Sequence, residues 1–218
     1  MAVLIAACCL WAQDHPTPAK DARPKDTRPV GAVGTPPRVA PTDYQASAKA
    51  GVVTIAADFD QHSVPTPEQL LTTEDYVVVE VALYGPPDAR SQISLDDFTL
   101  RINNSKKPAL HAQSFVVVLS SVKDPEWSPP ESQAKKSSTS IGTGGNDPGS
   151  PPPVVHVPIE LQRAMAQHIQ KASLPLGDRP LPQAGLLFFQ YRGKAEKINS
   201  VDLYYAGPAG KSTLELQP

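Results

Sequence analysis

"YVVVEVALYGPPD", Tyr76–Asp88, decides the fold. In an extended chain Val77, Val79, Val81 and Leu83 share one face, and Tyr76, Val78, Glu80, Ala82 and Tyr84 share the other. Both faces are mostly apolar, which predicts a central strand covered on both sides. Gly85-Pro86-Pro87-Asp88 ends it. Working outward, Gly51–Phe59 is β-rich. Ser94-Leu95-Asp96-Asp97 has the look of a capped turn. Phe98–Asn103 then alternates, with Phe98, Leu100 and Ile102 inward and Thr99, Arg101 and Asn103 outward. Ser114–Leu119 reads as the next strand, and Gly185–Arg192, Ile198–Ala206 and Thr213–Leu216 as three more. About seven short strands with turn signals between them predict a mainly β chain folded as an antiparallel sandwich. Its expected core holds Val77, Val79, Val81, Phe98, Leu100, Leu186, Phe188, Leu203 and Leu214.

The 218 residues include 25 prolines, concentrated in two stretches. Asp14–Asp43 has seven prolines, five Lys or Arg, four Asp and few large apolar residues, so residues 13–45 are expected to be a disordered spacer. Asp124–Pro153 has another seven prolines, and residues 124–154 are expected to be a disordered insertion. It contains "SSTSIGTGGNDPGSPPP", which invites comparison with phosphate-cradling loops. Gly142-Thr143-Gly144-Gly145-Asn146 is followed by Asp147 where a dinucleotide fingerprint needs glycine. Gly144 and Gly149 have the P-loop interval, but Ser150-Pro151 stand where Lys-Ser/Thr must be. A flexible linker is therefore the expected reading.

Pro158–Ser173 is the one helix expected, with Leu161, Met165, Ile169 and Ala172 in an apolar stripe and Pro175 and Gly177 beyond it. In a β-rich chain it is expected to lie against an open end of the sandwich. A membrane-surface role fits less well, because the stripe is narrow and the polar face is not strongly basic.

The N-terminus, "MAVLIAACCLWAQDHP", has an apolar run over residues 2–11 and a small residue, Ala12, before Gln13. Residues 1–12 are expected to be a signal peptide that exports the chain, although no Lys or Arg precedes the run. Ile5-Ala6-Ala7-Cys8 also has the order of a lipobox, so a lipid anchor at Cys8 stays open, as does a cytosolic chain with an apolar start. Cys8 and Cys9 are the only cysteines, which leaves the body of the chain without disulfides or thiolate metal sites. No later stretch is apolar for 18 residues, so no membrane span is expected. A net charge of −2 gives no nucleic-acid footprint, and Lys106-Lys107 and Lys135-Lys136 read as solvated turns.

"ISLDDFTLRINNSKKPA", "GLLFFQYRG" and "VDLYYAGPAGKSTLEL" together resemble bacterial extracytoplasmic immunoglobulin-like domains. The resemblance covers roughly residues 51–217 apart from the insertion, and the long insertion and the helix depart from a plain member of the family. It implies an immunoglobulin-like β-sandwich over residues 50–217, in the periplasm or outside the cell, and no particular activity.

No catalytic, cofactor-binding or metal residues are nominated. His15, His62, His111, His156 and His168 form neither H-x-x-x-H nor H-E-x-x-H. Asp58-Phe59-Asp60 could join a calcium site, and Asp96 and Asp97 are the other close acids, but solvated loop carboxylates are the simpler reading. There is no G-x-S-x-G. Asn103-Asn104-Ser105 matches a glycosylation sequon. Two functions follow. One is an exported, non-catalytic binding or scaffolding domain of the bacterial cell envelope, with an unknown protein or envelope component as partner. The alternative is an enzyme or small-ligand carrier with a pocket at the helix-covered end of the sandwich.

Overall fold

Tyr76–Tyr84 forms a strand with a neighbour on each side, as its two apolar faces require. In the computed structural model, which describes residues 32–128 and 157–218, the strands are β1 (Ala46–Ala50), β2 (Val53–Gln61), β3 (Ser63–Pro65), β4 (Leu70–Thr73), β5 (Tyr76–Tyr84), β6 (Arg90–Ile93), β7 (Phe98–Ile102), β8 (Leu110–Gln113), β9 (Val122–Lys123), β10 (Gly177–Pro180), β11 (Gln183–Gln190), β12 (Val201–Gly207) and β13 (Gly210–Leu216). The helices are α1 (Phe115–Val118) and α2 (Ile159–Ala172). All these elements belong to one unit, Gly31–Pro218.

The chain is mainly β, and every strand pair within its sheets is antiparallel. Eight strands form one sheet in the order β1-β2-β5-β11-β8-β7-β12-β13. Its two edges, β1 and β13, run side by side without a ladder, so the sheet nearly closes on itself. The join between β11 and β8 is narrow: only Phe188↔Gln113 and Phe189↔Ala112 pair there. The enclosed core includes Ile55, Phe59, Val77, Val79, Val81, Leu83, Phe98, Leu100, Leu187, Phe189, Leu203, Tyr205 and Leu214.

Several expectations need correction. Leu186 and Phe188 are buried, but on the outer face of β11, together with Val78, Met165, Ile169 and Ala172. The helix therefore lies over the sheet and not at an open end of it. Its stripe does the packing: Met165, Ile169 and Ala172 are buried. The helix stops where Ser173 accepts an extended conformation and its amide still bonds the Ile169 carbonyl at 2.9 Å. Ser114–Leu119 is not a strand. The Ser114 hydroxyl accepts the Val116 amide and caps α1, and Val118 turns in toward α2. Local capping and burial there outweigh the β-preference of three valines. The ladder position falls instead to Leu110–Gln113. Gly51 is a turn residue with φ +63°, a conformation that favours glycine, so the strand expected from Gly51 starts at Val53 and a further strand precedes it.

Residues 32–45, within the expected spacer, run across the outer face of the sheet. The Gly34 amide bonds the Lys171 carbonyl at the end of α2 at 2.8 Å, and Thr35 bridges Ala184. Tyr44 is buried against Ala56, Ala82 and Ala184. Three alanines in one row across β2, β5 and β11 leave the trough that this strap fills. The expected signal peptide, Cys8, His15, His156 and most of the expected insertion lie outside the described residues. Among the described residues no helix is long and apolar enough to cross a membrane.

Candidate functional site

Two places gather chemistry-bearing side chains. The first is on the outer face, beside the alanine trough. Asp58 and Glu80 are register partners on β2 and β5. The register slips between Phe59 and Gln61, so Asp60 sits in a β-bulge, and its charge is felt by both Asp58 and Glu80. The strap answers this negative charge. The Arg38 guanidinium is paired with Asp58 and lies 3.2 Å from Glu80 Oε2, while the Thr35 hydroxyl donates to Glu80 Oε1 at 3.0 Å. Arg38 also stacks on the Tyr44 ring, 4.2 Å from its centroid, and its carbonyl accepts the Tyr84 hydroxyl at 2.8 Å. Burial, reinforced by Glu80 and Asp58, pushes the Asp60 carboxyl up to about 7. One of its oxygens is shut away from solvent with no hydrogen-bond partner.

This cluster has the acids that Asp58-Phe59-Asp60 suggested, with Glu80 added. A guanidinium already fills the space between Asp58 and Glu80. Among the described residues no three His, Cys, Asp or Glu side chains are grouped to hold a metal ion. Asp96 and Asp97 are elsewhere. Asp97 accepts the Ser94 amide at 3.0 Å and closes the expected capped turn.

The second place is a cleft of about 540 Å³ between the β7–β8 hairpin and the end of β11. Its origin is the narrow β8–β11 join. Beyond Phe189 the chain stays with the β5 side, where the Tyr191 amide bonds the Asp75 carbonyl at 2.9 Å. Leu110 instead stays with β7, opposite Leu100. The gap between them is walled by Ile102, Pro108, Leu110 and Tyr191 and rimmed by Arg101, Lys107, Gln190 and Arg192.

The cleft's geometry is well held. The Asn103 side chain accepts the Asn199 and Ser200 amides at 2.6 and 3.3 Å and donates to the Lys197 carbonyl at 2.7 Å. That amide nitrogen, the one the sequon would glycosylate, is committed to fixing the hairpin tip. On the other wall, Tyr191 stacks on His62 with centroids 6.2 Å apart. A β-carbon on Gly193 would come within 2.3 Å of the Tyr191 ring, so any larger residue there would push the ring aside. His62 has Nδ1 at 2.7 Å from the Tyr76 carbonyl and Nε2 at 2.9 Å from the Gly193 carbonyl.

Arg192 donates through Nε to Asp75 at 3.0 Å. Arg101 lies over the Tyr204 ring, 5.3 Å from its centroid. Among the described residues no carboxylate lies within ion-pair distance of Arg101 or Lys107. Of these three cations only Arg192 has a carboxylate partner among the described residues. Lys107 was visible in the sequence as half of a turn pair. What the sequence did not reveal was that the turn overhangs Tyr191, since the two are far apart along the chain.

The other two described histidines, His111 and His168, stand apart from both places. His111 is exposed on β8. His168 packs on α2 with Nδ1 3.3 Å from Glu68 Oε2. A smaller apolar pocket of about 260 Å³ opens near the end of α2, lined by Phe115, Leu174, Leu176, Leu186 and Phe188 among others.

No family model, curated protein or solved structure matches the chain.

Proposed function

We propose that the chain is an exported, non-catalytic binding or scaffolding domain of the bacterial cell envelope. The observation that carries this reading is the cleft between the β7–β8 hairpin and β11. It offers an aromatic wall and cations for holding a partner, with no nucleophile and base paired in it. Of the acids gathered on the outer face, Asp58 and Glu80 are instead engaged by the strap.

The immunoglobulin-like kinship belongs to the same proposal. The two-pair β8–β11 join is consistent with two four-stranded halves, β1-β2-β5-β11 and β8-β7-β12-β13, facing each other across the core. Fractionation of the native host, with a photo-crosslinking residue at Lys107 or at the remote Lys211, tests the function. Recovery in the envelope with a discrete crosslink from position 107 alone is the expected result. Recovery in the cytosol, or identical crosslinks from both positions, overturns it.

A ligand-carrier reading is favoured by one observation, the apolar pocket near the end of α2. It requires that a small apolar probe quench a tryptophan placed at Phe188.

A further inference from the structure

We propose that the cleft between the β7–β8 hairpin and β11 binds small organic anions in which a carboxylate or phosphate is carried on a flat apolar ring. The proposal rests on the binding-domain reading and adds the chemistry of the ligand.

The charge argument comes first. Lys107 and Arg192 line one concavity, with Arg101 at its margin turned over the Tyr204 ring, and Asp75 pairs with Arg192 alone. Asp75 takes Arg192 through Nε at 3.0 Å, and the Arg192 side chain is otherwise exposed. Guanidinium and ammonium groups together suit an oxyanion, the first by forked donation and the second as a point charge.

The shape argument is independent. A hairpin lysine on a flat surface would select any counter-ion. Here Lys107 and Arg192 share the cleft with an apolar lining of Ile102, Pro108 and Leu110 and with the Tyr191 ring. That ring is held, since His62 backs it and Gly193 lets it fold close to the chain. A fixed aromatic wall favours a ring that can stack or meet it edge-on. The volume, about 540 Å³, is in the range of small-molecule sites. Inorganic phosphate would satisfy the cations and leave the apolar lining wet. An apolar ring without charge would cover the lining and leave the cations unanswered.

The test is an amide chemical-shift titration of the full chain with four probes: phenyl phosphate, benzoate, inorganic phosphate and benzylamine. Phenyl phosphate and benzoate are expected to shift Arg101–Lys107 and Gln190–Gly193, and to bind at least about tenfold more tightly than inorganic phosphate or benzylamine. Lys107→Gln and Tyr191→Leu are each expected to weaken phenyl phosphate by about fivefold or more, and added salt to weaken it further. Lys107 is exposed, so its replacement leaves the fold intact. Inorganic phosphate binding as well as phenyl phosphate would remove the ring from the proposal and overturn it. Benzylamine shifting the cleft while the anions do not would overturn the ligand class and leave the binding-domain reading standing. No cleft shift from any probe at about 1 mM would also overturn the proposal, and the crosslink at position 107 would then decide the wider reading separately.

Discussion

Asp60 is the residue whose environment works hardest against its charge. Its carboxyl is carried from the ordinary 3.8 to about 7 by burial, with Glu80 and Asp58 adding to the effect and Arg38 opposing it. Between those values the folded chain holds more proton at Asp60 than the unfolded chain does. Stability from this group is therefore full below about pH 4 and lost as pH rises to about 7. At most about 4 kcal/mol is involved, from about 1.4 kcal/mol per unit. Asp60→Asn cannot ionise. Its melting temperature relative to the parent is expected to rise by several degrees between about pH 4 and about pH 8. Thermal melts at the two pH values check this, and an unchanged difference would refute it. Phe98 makes the contrasting residue-scale case. It is fully buried and tilted against Tyr205 at 5.2 Å, so Phe98→Ala is expected to cost about 3–5 kcal/mol in a denaturant titration. Alternation alone was enough to read Phe98 as inward. The bulge that turns Asp60 toward Glu80 left no such trace, because a bulge depends on the partner strand.

Among the elements, the strap is held by polar bonds and one buried ring. Arg38→Ala removes the cation between Asp58 and Glu80. The global loss is expected to be small, about 1 kcal/mol, because the guanidinium side chain is 37% exposed. The local loss is larger. Hydrogen exchange of the Gly34 and Gln45 amides, bonded to Lys171 and Asp58, is expected to quicken by about tenfold or more, while the β12–β13 ladder is unchanged. Uniform acceleration across both regions would show that the strap does not open on its own. Composition hid this element. Residues 32–45 share the prolines and charges of the sequence before them, and only Tyr44 offers a large ring to bury. The helix α2 was legible because Met165, Ile169 and Ala172 recur at its period. The α1 turn was not, because "SFVVVL" satisfies strand preference and only the hydroxyl of Ser114, with α2 overhead, tips it the other way.

For the whole molecule, strands from either side of residues 129–156 share one sheet: β5 pairs β11 over eight residues and β7 pairs β12 over five. The described residues on the two sides of that stretch therefore pack into one core, and the stretch joins Ser128 to Val157 along the chain. Loop closure changes by only about 0.6 kcal/mol per doubling of length. Replacing residues 132–150 with a short Gly/Ser linker is expected to leave the melting temperature unchanged or slightly raised, and no nucleotide should shift it in either form. A nucleotide shift of several degrees, lost with the replacement, would refute this. Central placement of Tyr76–Tyr84 and the antiparallel class were readable from period-two patterning. The near closure of the sheet was not, since it depends on β1 and β13 arriving side by side from opposite ends of the chain. The cleft is a consequence of that global path and was equally hidden.

The strap also sets how the domain answers to force. A pull from the N-terminal side reaches Gly34, Thr35, Arg38 and Tyr44 before it reaches β1, which is held to β2 by five register pairs. The strap crosses the strands instead of running in a ladder, so its attachments bear load in succession and peel singly at low force. Residues 34–44 then extend by up to about 40 Å at the reach of an extended chain. Over that distance the sheet carries little tension, and the domain takes up slack before its core is strained.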